Sequence, residues 1–296
     1  MTRHVRIGFK TSPQAVDWPT LDATWAAAGE LGVFDSGWMN DHLTEPGRDR
    51  GGPSFEALTV MAALAHHVPG LWLGHGVLSA TFRHPAVLAK QATVMDNITG
   101  GRFIVGLGAG WHEGEHETFG IPLAPMKERF DRFESQIHVL KALFSDAASK
   151  PPGVTRPDPF YPLVDAMNEP PPVRPGGPPL WLGGQKRRGL TLAADLADGW
   201  ILPASPDEAL PQFVERREAI LRRMDETGRD PSAFSFGAQI AAGESRAERA
   251  TALAAAREFI AAGATDLVLG VPARTGPGGL TAVAREVVAP LRDEQG

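Results

Sequence analysis

The chain has 296 residues, lacks cysteine altogether and contains a single tyrosine. Without a thiol it can form no disulfide and carry out no thiolate chemistry, so nothing ties it to an oxidising compartment. Long hydrophobic runs are also missing. No window approaches about 18 apolar residues, and the start of the chain, MTRHVRIGFK, has no apolar segment of the length found in export signals. We therefore expect a cytoplasmic protein that makes no contact with a membrane.

An excess of positive charge is absent too. Lysine and arginine number 29 against 35 aspartate and glutamate residues, which gives a formal net charge of −6. A chain of this charge matches the phosphate backbone of nucleic acids poorly, and we expect no nucleic-acid partner. Any small anion must be held by a local cluster of donors. Hydrophobic residues make up 43% of the chain, which is enough for the core of a globular protein.

Eight short apolar runs alternate with stretches of helical periodicity. The runs predict strands at residues 5–9, 33–39, 71–78, 103–107, 180–182, 199–202, 234–240 and 267–269. Asp17, Ser54 and Ser245 are candidate first residues or caps of three of the intervening helices. Residues 205–208 have the form of a further capping box, although Pro211 suggests that this helix starts there.

This alternation over 296 residues predicts an α/β fold, the (β/α)8 TIM barrel, as one domain spanning residues 1–296. A doubly wound open sheet is the alternative, but such sheets seldom hold eight regular units. Residues 145–179 interrupt the repeat, because residues 150–179 hold eleven of the 26 prolines and show little periodicity. We predict an insertion or lid that runs over the surface there.

The most informative stretch runs from Thr99 to Phe119, TGGRFIVGLGAGWHEGEHETF. A predicted strand ends there in glycines at alternate positions, Gly106, Gly108 and Gly110. Their missing Cβ atoms allow another molecule, or another part of the backbone, to approach the main chain closely, and free N–H groups there would suit an anion. A tight turn between a strand and a helix is the structural alternative.

Two other functions compete for this stretch. The glycines lack the G-x-G-x-x-G spacing of a dinucleotide fingerprint and do not lie in a first βα unit, so we set that function aside. His112 to His116 form the pattern H-E-x-x-H of a zinc hydrolase, with Glu134 as a conceivable third ligand. That pattern requires a stable helix, whereas here it directly follows a glycine-rich loop and has Gly114 at its centre. We predict no bound metal.

Chemically active residue types collect after the predicted strands. They are found at Asp41 and His42 and at residues 75–79, 108–111 and 183–187. In a barrel these positions share one rim, where active sites lie. The two glycine-rich loops beside residues 186–188, Lys-Arg-Arg, suit a phosphate, which main-chain N–H groups and a helix N-terminus would hold. A solvated helix start is the alternative for these basic residues.

Six segments carry a resemblance that covers nearly the whole chain. They are NDHL (40–43), LGHGVLSATFRHPAVLAKQ (73–91), GGRFIVGLGAGW (100–111), PLWLGG (179–184), ADGW (197–200) and GRDP (228–231). With them the sequence resembles the bacterial luciferase-like oxidoreductases, in particular the branch that depends on the deazaflavin coenzyme F420. The resemblance implies a (β/α)8 barrel with a mid-chain insertion, and an enzyme that transfers a hydride between F420 and a small organic substrate.

The resemblance also implies a role for most residues of the rim. A deazaflavin ring would rest on a bulge in the third strand that often contains a cis peptide without proline, and the matching bond is Gly76–Val77. Asp41 would bind the ring, Ser79 would bind its side chain, and His42 matches a histidine that donates a proton in some members. A structural histidine is the alternative for His42. Further coenzyme contacts would come from Ala109, Gly110, Gly183, Gly184, Lys186 and Arg187.

One position departs from the family pattern. In the sugar-phosphate dehydrogenase branch a catalytic glutamate follows the glycines of the fourth strand, whereas Trp111 stands there in this sequence. That activity is therefore not expected, and Trp111 predicts a flatter, more apolar wall for the substrate. His112, Glu113 or Glu115 would replace the glutamate in proton transfer, and a solvated face is the alternative for the two glutamates.

Three alternatives remain for the whole protein. The nearest is a luciferase-like monooxygenase that uses reduced FMN and oxygen instead of F420. The others are a zinc hydrolase acting through His112 and His116, and a barrel that binds the coenzyme without turnover, as a carrier or sensor. We expect a small-molecule substrate and a homodimer.

Overall fold

The structure is a computed structural model that describes residues 4–45, 52–203 and 209–295. The barrel strands are β1 (Arg6–Lys10), β2 (Ser36–Met39), β3 (Trp72–His75), β5 (Phe103–Gly108), β8 (Leu180–Leu182), β9 (Gly199–Leu202), β10 (Ser235–Ala241) and β11 (Asp266–Gly270). They pair in parallel in the order β3-β2-β1-β11-β10-β9-β8-β5, and β3 pairs with β5 to close the ring. The predicted (β/α)8 barrel is therefore confirmed.

Helices follow the strands on the outside of the barrel. They are α1 (Trp18–Leu31), α2 (Ala57–Leu64), α3 (Pro85–Thr99), α4 (Glu113–Phe119), α5 (Met126–Leu143), α6 (Arg187–Leu196), α7 (Ala209–Glu226), α8 (Arg246–Ala261), α9 (Gly276–Val283) and α10 (Ala289–Gln295). A π-helical turn, Ala284–Val288, joins α9 to α10. Within the described ranges, no helix is both long enough and apolar enough to cross a membrane.

Several helix ends form as the sequence predicts. Asp17 caps α1 by accepting a hydrogen bond from the N–H of Thr20 at 2.8 Å, and Gly32 ends that helix with a left-handed φ of 61°. Ser245 and Glu248 form a complete capping box at the start of α8. Such caps satisfy N–H groups that have no partner inside the helix, which is why these residue types mark helix starts.

Two predicted helix starts have a different outcome. Ser54 does not open a helix, because it pairs with Gln14 in an isolated bridge, and α2 begins later with Glu56 as its cap. The carboxylate of Glu56 accepts from the N–H of Thr59 at 2.7 Å and suits the positive end of the helix better than a hydroxyl. The proposed box at residues 205–208 lies outside the described residues.

Two tryptophans fill the centre of the barrel. The rings of Trp38 and Trp181 have centroids 5.4 Å apart. The rest of this inner cluster is aliphatic and consists of Ile104, Ile201 and Val268. Glycines on adjacent strands make room for the indoles, since a Cβ on Gly74 or Gly199 would lie 2.7 Å from the ring of Trp38 or Trp181, respectively. We call this level the tryptophan layer, and it makes the barrel centre solid.

The proline-rich segment between α5 and β8 forms structure of its own. It contains a short 3₁₀ turn, Asp146–Ser149, and an antiparallel hairpin of β6 (Val154–Arg156) and β7 (Leu163–Ala166). This hairpin is separate from the barrel sheet. The bounds of the insertion, 145–179, and its role as a lid stay predictions.

Candidate active site at the carboxyl ends of the strands

The third barrel strand is interrupted at the rim. After His75 the chain leaves the sheet, the peptide bond Gly76–Val77 is cis, and the chain rejoins the sheet as β4 (Leu78–Ser79), which pairs with the end of β5. This confirms the cis bond that the family resemblance implies. It also corrects the single strand predicted at residues 71–78, whose apolar composition gave no sign of the break.

The alternate glycines of β5 receive this bulge. A Cβ on Gly106 would overlap the carbonyl oxygen of His75, and one on Gly108 would lie 2.8 Å from a methyl group of Val77. A Cβ on Gly183, at the neighbouring end of β8, would lie 3.0 Å from the same side chain. The close approach predicted at Gly106 and Gly108 is therefore made by the chain's own bulge, which the glycines hold in place.

A cavity of about 760 Å³ lies over the bulge. Most of the predicted site residues line it: Asp41, His42, Gly76, Val77, Ser79, Ala109, Gly110, Trp111, Gly183, Gly184 and Lys186. Glu113 and Arg187 are exposed and do not line it. The barrel topology thus brings together residues from four separate stretches of the chain, as expected for the carboxyl ends of barrel strands.

The loop after β5 places its side chains in different directions. Trp111 is 66% exposed and lines the cavity together with the apolar side chains of Met126, Phe130 and Phe133. Glu113, the first residue of α4, faces solvent. Residues two apart on a helix point to opposite sides, so Glu113 cannot share the inward direction of Glu115. The structure does not support Glu113 as a proton-transfer residue.

His42 and Glu115 form a buried pair beside the cavity. Nδ1 of His42 lies 2.8 Å from Oε2 of Glu115, whose other oxygen accepts from the N–H groups of Leu43 at 2.6 Å and Thr44 at 3.1 Å. Glu115 is 1% exposed. Three donors therefore hold a carboxylate that water does not reach. Nε2, on the other side of the His42 ring, has no hydrogen-bond partner among the described residues.

Both carboxylate oxygens of Asp41 already accept hydrogen bonds within the protein. Its oxygens lie 2.6 Å and 2.9 Å from Nη1 and Nη2 of Arg83, and the N–H of Ser79 donates to it at 2.9 Å. Arg83 also pairs with Glu56. Asp41 therefore ties the end of β2 to β4, and its contact with a bound ring stays a prediction. Arg83 was not singled out from the sequence, although a buried carboxylate generally requires such a partner.

His112 and His116 do not act as a pair of metal ligands. His112 caps α4, and its Nδ1 accepts from the N–H of Glu115 at 3.1 Å. Nδ1 of His116 lies 2.8 Å from the carbonyl oxygen of His112, and its Nε2 lies 2.7 Å from the hydroxyl of Thr81, which in turn bonds to Ser79. In the described part of the chain, no three His, Asp or Glu residues are placed to hold a metal. A helix does form here, but His112 precedes it, so the zinc hydrolase is not supported.

A basic groove of about 690 Å³ lies beside the cavity, between α6 and α7. Gln185 and Lys186 line both spaces, which therefore adjoin. Lys186 precedes the first turn of α6, and no side chain caps that turn. Arg187 lines only the groove, whereas Arg188 is bonded to two acidic residues of α5. Arg188 is thus held in surface ion pairs, and the solvated helix start stays an alternative for the basic run.

Gln239, which lines the cavity, and Lys10, which is bonded to it, belong to no motif that the sequence analysis singled out. Lys10 donates from Nζ to Oε1 of Gln239 at 2.7 Å and to the carbonyl oxygen of Gly76 at 3.3 Å. Burial lowers the pKa of Lys10 to about 8. Each residue lies two positions beyond a glycine that faces the barrel interior, Gly8 or Gly237. The period of two along a strand is therefore the signal that places them inside.

Residues 9–286 match the family described as luciferase-like monooxygenase. The chain belongs to that family. This luciferase-like protein is 30% identical over 245 residues to the phthiodiolone/phenolphthiodiolone dimycocerosates ketoreductase of Mycobacterium tuberculosis, covering 73% of this chain and 59% of the relative. It is 34% identical over 163 residues to an F420-dependent glucose-6-phosphate dehydrogenase of Kribbella flavida, covering 55% and 47%. The chain thus spans less than two thirds of the length of these curated relatives.

Solved structures share the fold of this luciferase-like protein at lower identity. An F420-dependent secondary alcohol dehydrogenase in complex with an F420-acetone adduct superposes with a TM-score of 0.78 at 18% identity, over 96% of this chain and 98% of the other. The long-chain alkane monooxygenase LadA gives 0.77 at 16% identity, over 100% and 92%. At such identities the likeness concerns the barrel fold.

Proposed function

We propose that this chain is an F420-dependent oxidoreductase that transfers a hydride between the deazaflavin coenzyme and a small organic substrate. The observation that carries the proposal is the pair of joined spaces at the rim. One is the cavity between the cis peptide Gly76–Val77 and His42, and the other is the basic groove that continues it at Lys186. Two relatives named as a ketoreductase and as an F420-dependent dehydrogenase support the same class of reaction.

The cavity residues fit a fused planar ring. Val77 and the cis peptide give an apolar surface on one side, and a volume of about 760 Å³ suits a ring system together with a small substrate. We place the ring against Gly76–Val77, with main-chain contacts from Ala109 and Gly110. Ser79 stays a predicted contact of the coenzyme side chain, although its hydroxyl already bonds to Thr81 at 2.7 Å.

The groove favours F420 over FMN. FMN ends at its phosphate, whereas F420 continues beyond its phosphate into an acidic chain of glutamates. Gly183, Gly184 and the uncapped first turn of α6 suit the phosphate. The charged residues that line the groove beyond are mainly cations, namely Lys186, Arg187, Arg216, Arg222 and Arg223 against Glu215 and Glu226. Arg222 and Arg223 are already in ion pairs with Glu218 and Asp195, so the charge open to a ligand comes from Lys186, Arg187 and Arg216. This local positive charge, in a chain of net charge −6, supports the coenzyme with the acidic tail.

His42 is the proposed proton carrier. When bound, the deazaflavin accepts or supplies the hydride. In the neutral imidazole, Nδ1–H donates to Glu115 and Nε2 can accept a proton from a substrate hydroxyl. In the protonated imidazole, Nε2–H can return that proton to a carbonyl oxygen. Glu115 fixes the orientation of the ring and stabilises its charged form.

The substrate we propose is a ketone or the corresponding secondary alcohol with an apolar part. Trp111 occupies the position of the glutamate found in the sugar-phosphate branch, and it lines the cavity with Met126, Phe130 and Phe133. Apolar walls of this kind favour the burial of hydrocarbon. The relative named as a ketoreductase supports reduction of a carbonyl group.

Titration of the purified chain with oxidised F420 and with FMN tests the coenzyme. We expect a micromolar Kd for F420 and much weaker binding of FMN, because only F420 fills the groove. Fluorescence of each ligand reports its binding. Micromolar binding of FMN with no binding of F420 would favour the monooxygenase that uses reduced FMN and oxygen.

Turnover separates an enzyme from a carrier. Reduced F420 and a panel of apolar ketones should regenerate oxidised F420 under anaerobic conditions, followed by its absorbance. If the protein binds the coenzyme but reduces none of these ketones, the carrier or sensor is favoured. The homodimer, the absence of a nucleic-acid partner and the cytoplasmic location stay predictions from the sequence.

A further inference from the structure

The floor of the cavity contains a buried amide with an open donor. Gln239 is 5% exposed and lines the cavity. Its Oε1 accepts a hydrogen bond from Lys10 at 2.7 Å. The amide lies flat against Gly76, since its three terminal atoms lie 3.4 to 3.5 Å from the position that a Cβ on Gly76 would occupy. Gln239 therefore lies beside Gly76, one half of the cis peptide on which the ring is proposed to rest.

Lys10 determines which way this amide points. An ammonium group has three donors and no acceptor, so the atom of Gln239 that faces it must be the oxygen. The assignment of Nε2 to the other side therefore follows from the chemistry of Lys10. No described residue accepts a hydrogen bond from Nε2. Two N–H donors are thus left at a nearly buried position whose open side is the cavity.

A donor that has no protein partner and faces a binding cavity usually meets an acceptor in the functional complex. We propose that Nε2 of Gln239 donates a hydrogen bond to a carbonyl oxygen of the pyrimidinedione edge of the bound deazaflavin ring. Lys10 is then a positioning residue, which holds the amide in the orientation that the bond requires. This inference rests on the proposed function, because it takes the ring to occupy the cavity.

A carbonyl oxygen of the substrate has the same acceptor chemistry. The two sources are separated by measuring coenzyme binding with no substrate present. The ligands are oxidised F420 and the ring-only deazaflavin that carries a ribityl chain but neither phosphate nor glutamates. Both have the same pyrimidinedione edge, so loss of the amide donor should weaken both by the same factor.

The variants are Gln239→Leu, which removes the donors, and Gln239→Glu, which keeps an acceptor for Lys10 but has no donor for the ring. We expect each to weaken binding of both ligands by about tenfold, the effect of one lost hydrogen bond to a buried acceptor. Gln212→Leu, on α7 and outside both spaces, is the matched control and should bind as the wild type does. Melting temperatures verify folding, and Gln239→Glu carries the test if Gln239→Leu is unstable.

A double-mutant cycle tests the positioning role of Lys10. Lys10→Met should weaken F420 binding, and the double variant Lys10→Met/Gln239→Leu should bind no more weakly than Gln239→Leu alone, because Lys10 acts through the amide. Fully additive losses would overturn this role.

The two proposals fail in different ways. Wild-type affinity of Gln239→Leu for both ligands would overturn the ring contact and leave the proposed function standing. If the wild type bound neither F420 nor the ring-only deazaflavin, the proposed function itself would fall.

Discussion

Two adjacent residues at the end of β2 differ in what their side chains can still bind. The carboxylate of Asp41 already has Arg83 and the N–H of Ser79 as partners, whereas His42 keeps one ring nitrogen open to the cavity. A side chain whose hydrogen-bonding groups are all occupied within the protein fixes geometry. A side chain with an open group can take part in proton transfer. The sequence segment NDHL indicates both residues and does not separate these roles.

His42 should matter for turnover and little for coenzyme binding. His42→Ala should leave the affinity for F420 nearly unchanged and slow turnover by roughly a hundredfold to ten-thousandfold, the range for a lost general acid or base. Ligand fluorescence gives the affinity, and oxidation of reduced F420 by a ketone gives kcat. Glu115→Gln turns an amide N–H donor toward Nδ1, which places the proton of the neutral ring on Nε2, so its kcat should fall by a factor similar to that of His42→Ala. Abolished binding with normal folding in His42→Ala would make His42 a structural clamp instead.

The buried ring of His75 should make the stability of the protein depend on pH. It is fully buried, and burial lowers its pKa from 6.5 to about 4. Between these values the unfolded chain binds a proton that the folded chain excludes. The free energy of unfolding should therefore fall as the pH drops from 6.5 to 4, by about 3 kcal/mol from this group.

The variant His75→Leu isolates this contribution. It removes the titration, so its denaturant midpoint should fall less than that of the wild type between pH 6.5 and 4. Other carboxylates and histidines titrate in both proteins and cancel in the difference. Parallel pH curves for the two proteins would contradict the assignment.

At the scale of elements, prediction succeeds where the signal is local. Asp17 and Ser245 cap their helices as expected, because a cap depends only on residues within one turn. The break in the third strand could not be predicted from its composition, and only the family resemblance located it. The pairing of Glu115 with His42 joins residues 73 positions apart, so periodicity could not show which of the neighbouring acidic residues faces inward.

Lys186 and Arg187, at the start of α6, should contribute to the affinity for F420. Replacing Lys186 and Arg187 together by alanine should weaken F420 binding by roughly 2 to 4 kcal/mol, since charge-assisted hydrogen bonds contribute about 1.5 to 3 kcal/mol each and partly compensate. Binding of FMN and of the ring-only deazaflavin is measured in parallel. The affinity for the ring-only ligand, which has no phosphate and no glutamates, should be unchanged. Arg246→Ala, at the exposed first residue of α8, is the matched control. Unchanged binding of F420 by the double variant would support the alternative, that Lys186 and Arg187 are solvated residues at a helix start.

At the scale of the whole molecule, the order of apolar runs and helical stretches is enough to predict a barrel. Closure itself depends on long-range pairs that no short window contains, such as β1 with β11 and β3 with β5. The same holds for the tryptophan layer. In the sequence Trp38 and Trp181 are isolated aromatics 143 positions apart (181 − 38), yet they meet at the barrel centre.

The tryptophan layer should make the free energy of unfolding sensitive to a single added methyl group. Gly74→Ala should lower the free energy of unfolding by about 1 to 3 kcal/mol, because the new methyl group would overlap the buried ring of Trp38 in a core without free volume. Gly278→Ala is the control, since it lies in α9 with no atom within 4 Å of its Cβ position, and it should be neutral or stabilising. Chemical denaturation measures both. Equal denaturation midpoints for Gly74→Ala and the wild type would show that the barrel centre accommodates the added methyl group without loss of stability.

The closed floor of the cavity has a kinetic consequence. Lys10 and Gln239 lie two positions beyond Gly8 and Gly237, which face the rings of the tryptophan layer, and that layer fills the barrel centre below the cavity. We therefore expect ligands to enter and leave by the rim. If the deazaflavin ring lies at the bottom against Gly76–Val77, as proposed, the substrate lies between the ring and the entrance. Coenzyme must then arrive before substrate and depart after product. A compulsory order of binding follows from the shape of the site, and a high concentration of ketone should trap the spent coenzyme and inhibit steady-state turnover.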